Sequence, residues 1–186
     1  MKSERLIIVC DLDDTLINTA EIKILLNQAF ANLGFSEAAV NEARATVKKI
    51  GVYAPLRHVA ELDPSLMGTW ESEWQQIQAA IPSLLFPETL PFLSRCQACA
   101  ARMCLLSRGD TSYQHAKLLA SGLATFFKEV HYTEDDKGTY LKKTLPTLHR
   151  FVFIDDNAQN RESVLSTFPH ATAYASVGEA LPLIHI

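Results

Sequence analysis

The sequence predicts an α/β fold: a Rossmann-like parallel sheet with helices on both faces and an inserted, all-helical cap. Three observations lead there. Short apolar runs alternate with amphipathic stretches in the second half of the chain, residues 17–86 carry helical periodicity with no convincing strand, and polar residues able to do chemistry recur directly after the apolar runs. Alternating strand and helix signals define βαβ units, whose parallel sheet must be covered on both faces.

The first run, residues 5–10 (RLIIVC), reads as a buried strand. It leads into Asp11-Leu12-Asp13-Asp14-Thr15-Leu16, where three carboxylates crowd into four positions. Like charges at that range raise one another's pKa, so the cluster costs stability unless a cation or a reaction uses it.

Three amphipathic helices follow. Ile22, Leu25, Leu26, Ala29, Phe30 and Leu33 share one face of the first, with Asn18 and Glu21 as an N-cap pair and Gly34 as its stop. Val40, Ala43, Val47 and Ile50 mark the second, which ends at Gly51. The third starts near Ser65, carries Leu66, Trp70, Trp74, Ile77 and Ile81, and halts at Pro82. Both tryptophans stand at core spacing. An insertion placed directly after the first strand would sit above the carboxyl edge of the sheet, where open α/β folds bind ligands. It is expected to act as a lid.

The later strands are expected at residues 103–107, 129–132, 150–154 and 171–175, and the helices between them at 111–121, 139–149 and 157–168. Thr111 with Gln114 forms a capping-box pattern and Gly122 a stop. The division of the chain is therefore a core of residues 1–16 and 87–186 with a helical cap of residues 17–86.

Composition narrows the function classes. The 186 residues are 48% hydrophobic with a net charge of −4, and the basic residues are scattered rather than striped, which argues against a nucleic-acid partner. No apolar run approaches the roughly 20 residues of a membrane span, and the start MKSERLIIVCDLDD lacks the apolar core of a signal peptide, so a cytoplasmic protein with no membrane partner is expected. Cys96-Gln97-Ala98-Cys99, followed by Cys104, has no second ligand pair at zinc spacing. Reduced thiols, two of them at core spacing on a helix, are the better reading.

Four signals each fall at the carboxyl end of an expected strand: Asp11, Asp13 and Thr15 after the first, Ser107 after the second, Lys137 after the third, and Asp155-Asp156 after the fourth. In this order they resemble the motifs of the haloacid dehalogenase-like (HAD) hydrolase superfamily, phosphatase type, with the helical insertion at that family's first cap position. The resemblance covers residues 1–16 and about 87–186. It implies that Asp11 is the nucleophile of an aspartyl-phosphate mechanism and that Asp13 exchanges protons with the leaving group and the hydrolytic water. Ser107 and Lys137 would grip the phosphoryl oxygens. Mg2+ would be held by Asp11, the Asp13 backbone carbonyl and the pair Asp155 and Asp156, with Asp156 favoured as the direct ligand.

Lys137 is chosen over its neighbours because it leaves room for a helix of about ten residues before the next strand. Lys142 and Lys143 would lie inside that helix, and Lys117 lies a turn or more into the helix after Ser107. Gly138 stands where many relatives have proline. Asp14 is expected to face away from the site, Asp110 to cap a helix, Thr15 to brace its loop, and Asn157 and Asn160 to support the acidic pair. In the insertion Arg44, Lys48, Lys49, Arg57 and His58 are the candidates for an anionic substrate, with Arg57 and His58 taken as substrate-binding.

Other classes fit less well. A receiver domain would carry its acidic pair at the first strand, and a dehalogenase would lack Asp13, since a halide needs no proton to leave. A catalytically silent binding or regulatory relative is the alternative to an enzyme acting on a small-molecule phosphate ester.

Overall fold

The structure, a computed structural model, describes residues 6–148 and 150–184. Five parallel strands form the sheet: β1 (Ile7–Cys10), β2 (Arg102–Arg108), β3 (Glu129–Thr133), β4 (Val152–Ile154) and β5 (Thr172–Tyr174), in the order β3-β2-β1-β4-β5. β1 is central, and its Ile8, Val9 and Cys10 are wholly buried. Alternation along it serves two layers. Ile8 and Cys10 pack with Met103, Leu105, Phe92 and Leu118 on one face, whereas Val9 joins Cys104, Leu106, Phe153, Leu141 and Val164 on the other.

The helices that supply these layers are α5 (Thr89–Ala98), α6 (Thr111–Ala120), α7 (Lys137–Thr144), α8 (Ala158–Thr167) and the short α9 (Val177–Ala180). α5, α6 and α9 cover the first face, α7 and α8 the second. The chain crosses from β1 to β2 on one side and places β4 on the other, so the strand order reverses at β1. That reversal opens a crevice beyond the carboxyl ends. Asp11 N–H donates to Ile154 O at 2.8 Å and Asp155 N–H to Tyr174 O at 3.1 Å, which sets both acidic loops on the same edge.

Residues 19–80 hold α1 (Thr19–Asn32), α2 (Glu37–Ile50), α3 (Pro55–Leu62) and α4 (Met67–Ala80). Asn18 caps α1, as its sequence pattern predicts, accepting from Glu21 N–H. α3 escapes the periodicity argument because it has eight residues, too few for a second apolar repeat; Pro55 at its first position starts it. Phe30 stacks on Trp70 at 5.2 Å, and Trp74 contacts Tyr113 of α6 at 5.6 Å, so the tryptophans are packing residues. The insertion is tethered by a narrow stem. Ile17 bridges Leu85, Asn18 N–H donates to Leu84 O at 2.8 Å and Phe86 N–H to Leu16 O at 3.1 Å.

Several boundaries move from the sequence expectation. α7 begins at Lys137 because Asp136 accepts from Thr139 N–H at 2.9 Å, and it ends at Thr144 ahead of Pro146. Arg5 and His149, assigned to the first strand and to this helix, lie outside the described residues. α6 is capped by Asp110, which accepts from Tyr113 N–H at 3.0 Å, and not by the Thr111-Gln114 box. The four cysteines form no disulfide. No helix among the described residues is long and apolar enough to cross a membrane.

Gly138 has a steric reason. A Cβ there would lie 2.5 Å from Ser163 Oγ and 2.6 Å from Ser163 O, so α7 and α8 touch through this glycine and a proline ring would not fit. Gly138→Ala should therefore destabilise the protein by about 1–3 kcal/mol in urea denaturation. Gly68→Ala, inside α4 with no atom within 4 Å of the new methyl, should stabilise it by roughly 0.5–1 kcal/mol.

Candidate active site

Asp11 is the first residue beyond β1 and is buried. Its Oδ1 receives Lys137 Nζ at 2.7 Å, and the same ammonium reaches Asp155 Oδ2 at 2.6 Å. Lys137 and Asp155 are fully inaccessible. Two carboxylates thus share one cation in a dry site, leaving an excess negative charge. Burial pushes the Asp11 carboxyl up to about 7, with Asp155 and Asp13 adding to the rise and Lys137 opposing it. The same two carboxylates outweigh burial at Lys137 and raise its pKa.

One oxygen from each of Asp11, Asp155 and Asp156 lies within 4.8 Å of the others. Hard oxygens converging on surplus negative charge fit Mg2+. The two members of the pair are placed differently. Asp155 accepts from Lys137, from Asn157 N–H at 2.9 Å, and on both oxygens from Asn160 Nδ2 at 3.1 Å. Asp156 is exposed, and its Oδ1 meets only a long 3.4 Å bond from Thr15 Oγ1. Although the residue as a whole is exposed, partial desolvation of its carboxyl, then Asp155 and Asp14, raise the pKa of Asp156. Thr15 Oγ1 also accepts from Asp156 N–H at 3.0 Å, so Thr15 joins the two acidic loops. Arg161 of α8 clamps the carbonyls of Asp155 and Asp156 at 2.7 Å each.

A second node forms around Asp13. Its Oδ1 pairs with Lys117 Nζ and accepts from Thr19 Oγ1 at 2.9 Å, while Oδ2 accepts from Gln114 Nε2 at 2.8 Å. Burial works to raise the Asp13 pKa, but Lys117, Gln114 and Thr19 outweigh it and hold the carboxyl below its usual range. Gln114 Oε1 accepts from the buried Ser107 Oγ at 3.1 Å, so one amide links Ser107 to Asp13. Gly109 makes room for it. Its φ is +148°, and a Cβ there would lie 2.7 Å from Gln114 Nε2.

A cleft of about 660 Å³ opens above Asp13, between Arg108 and Tyr113 of the core and Lys23, Arg44 and Tyr53 of the insertion. Asp14 lines it too, which corrects the expectation that this residue faces away. A left-handed turn (φ 54°) swings the chain back so that Asp14 accepts from Thr19 N–H at 2.9 Å. Arg57 and His58 need correction as well. His58 is completely buried, with Nε2 on Val40 O at 2.9 Å and Nδ1 on Tyr53 OH at 3.0 Å, and burial lowers its pKa to about 4. Arg57 pairs with Asp110 at 3.2 Å and does not line the cleft. Neither side chain is placed to meet a substrate there.

Lys117, Gln114 and Arg161 were missed as site residues. Gln114 and Lys117 are three apart on α6 and share its buried face; the i, i+3 spacing of two polar residues is the signal the sequence carries, and their burial is not in it.

No protein-family model and no curated protein matches the chain. Solved structures do match. A haloacid dehalogenase-like protein of Burkholderia xenovorans is 20% identical, with a TM-score of 0.71 over 92% of this chain and 81% of that one. A HAD-type protein of Bacillus subtilis, solved bound to magnesium, is 14% identical with a TM-score of 0.60 over 99% and 100%. An L-2-haloacid dehalogenase of Xanthobacter autotrophicus is 12% identical with a TM-score of 0.56 over 91% and 76%. The fold is that of the HAD-like hydrolases.

The electrostatics set a pH dependence. Asp11 has a folded pKa of about 7 against an ordinary 3.8, so folding takes up a proton between these values. Its stabilising contribution is complete below about pH 4 and is lost as pH rises through 7. His58, held down to about 4 by burial, works in the opposite sense below pH 6.5, so the Asp11 contribution is read by difference: from pH 5 to pH 8 the chelator-treated protein should lose stability relative to Asp11→Asn, which cannot titrate. Mg2+ held on Asp11 would compete with that proton, so its gain in melting temperature should be larger at pH 8 than at pH 5. Thermal melts at both pH values, with and without Mg2+, check both statements.

Proposed function

We propose that the protein is a Mg2+-dependent phosphatase that hydrolyses a small-molecule phosphate monoester through an aspartyl-phosphate on Asp11. The observation that carries the reading is the buried Asp11–Lys137–Asp155 cluster with a third carboxylate, Asp13, lining the cleft next to it. Lys137 engages Asp11 Oδ1 and leaves Oδ2 for phosphorus. Mg2+ held by Asp11, the Asp13 carbonyl and the acidic pair, Asp156 directly, would offset the repulsion between a carboxylate and a phosphate dianion.

Asp11 attacks, the ester P–O bond breaks, and the leaving oxygen takes a proton from Asp13. Lys137 donates to the phosphoryl oxygens as charge builds, and Ser107 does so once its hydroxyl turns from Gln114 Oε1. In the second step Asp13 takes a proton from water, the water oxygen bonds to phosphorus, and the bond to Asp11 breaks to release inorganic phosphate. Pairing with Lys117 keeps Asp13 ionised at rest, which suits the second step. For the first step the proton comes from solvent: Asp13 is protonated as the anionic substrate arrives and passes that proton to the leaving oxygen. Residues 17–86 act as a cap that opens and closes about the stem at Ile17 and Leu85 and shields the intermediate from bulk water. The acidic Asp13 supports phosphoryl transfer over halide displacement, since a halide leaves without a proton.

Phosphate release from p-nitrophenyl phosphate should require Mg2+ and stop with chelator; chloride release from a 2-chloro acid, with no phosphatase activity, would overturn the assignment. Asp11→Asn should lower kcat by several orders of magnitude, on the order of 10⁴-fold or more. Asp13→Asn should cost roughly 10²- to 10⁴-fold on an alkyl phosphate, and its first step should be far less impaired on nitrophenyl phosphate, whose leaving group needs little protonation.

A further inference from the structure

The cleft is cationic in a protein that is not. Lys23, Arg44, Lys48, Arg108 and Lys117 line it against Asp13 and Asp14, while the chain as a whole carries −4. Two of the cations nearest the reaction have carboxylate partners: Lys117 lies on Asp13, and Lys137 on Asp11 and Asp155. The three from the insertion do not. Among the described residues no carboxylate lies within ion-pairing distance of Lys23, Arg44 or Lys48.

Arg44 and Lys48 are one turn apart on α2, hence on one face, and Lys23 approaches from α1. Arg44 is held but not neutralised: its guanidinium donates to the side-chain amide oxygens of Asn27 and Asn41. Uncharged acceptors fix its direction and leave its charge for a ligand. The transferring phosphoryl group has its own partners at the sheet edge, so these three cations face the part of the cleft that a leaving group would fill.

We infer that the substrate carries a second anionic group, a carboxylate or another phosphate, on its leaving group, and that Lys23, Arg44 and Lys48 receive it. This rests on the phosphatase reading for which end of the substrate lies at Asp11. A purely long-range role, drawing any phosphate toward the cleft, would need the same net charge but no oriented arginine.

The test measures binding, so that it survives failure of the catalytic assignment. Calorimetry with Mg2+ present compares 3-phosphonopropionate with propylphosphonate, which differ in one carboxylate, and propane-1,3-bisphosphonate tests a second phosphorus group. Wild type should bind at least one of the doubly anionic probes on the order of tenfold tighter than propylphosphonate, as expected for a charge-assisted contact. In Arg44→Ala/Lys48→Ala that ratio should collapse toward one; Arg44→Lys should recover part of it, and Lys128→Ala, an exposed lysine outside the cleft, should leave it intact. The carboxylate and phosphorus arms identify the second anion. Equal affinities in wild type, a ratio that persists in the double variant, or a parallel loss for all three probes would overturn the inference. If the ratio behaves as expected and no phosphate ester is hydrolysed, the catalytic reading fails alone.

Discussion

The site depends on one buried ammonium shared by two carboxylates. Asp11 and Asp155 emerge from neighbouring parallel strands and would repel each other in a dry environment without Lys137 between them. Removing one partner of a buried ion pair typically costs about 3–5 kcal/mol because it strands the other charge. Much local architecture serves this contact. Asp136 starts α7 at the lysine, Gly138 lets α7 settle against Ser163, and Asn160 with the Asn157 N–H occupies the remaining valences of Asp155. The lysine does not cancel both charges, and the remaining negative potential is what would make the site receptive to a divalent cation.

The second node divides labour differently. Gln114 reads Ser107 with its oxygen and Asp13 with its nitrogen, which fixes both the amide orientation and the side from which Asp13 can work. Lys117, lying 4.5 Å over the Tyr113 ring, holds Asp13 as the ionised partner. A carboxylate so held is ionised and so available to accept a proton, though its basicity is weakened, and it is seldom protonated when an acid is needed. In the two-step phosphoryl transfer proposed above, this arrangement would suit the hydrolytic half and would make demands on the leaving group in the first half. The cationic insertion face lies where a leaving group with its own negative charge would meet it.

Much of this was legible in the sequence because period and position carry strong physical constraints. The apolar run ending at Cys10, the acidic burst after it and the pair at Asp155-Asp156 located the sheet edge, and helix spacing allowed Lys137 to be preferred over Lys142 and Lys143. What the sequence could not convey is side-chain direction across elements. Lys117 looked too deep in its helix to matter, yet its long stem carries the charge to Asp13. Arg57 and His58 were attractive by type, but eight-residue α3 turns His58 into the core and hands Arg57 to Asp110. Asp14 was misplaced because its positive φ is a tertiary outcome that no local pattern announces.

The central claim is that Asp11 becomes covalently phosphorylated while Asp13 manages protons. The most direct measurement is mass spectrometry of Asp13→Asn protein, acid-quenched after mixing with nitrophenyl phosphate and Mg2+. Losing the base should slow hydrolysis of the intermediate more than its formation, so a phosphoryl group of about 80 Da should appear on the peptide containing CDLDDTL. It should be absent when Asp11→Asn is treated in the same way. A phosphoryl group on Ser107, or turnover by Asp11→Asn equal to wild type, would contradict the account.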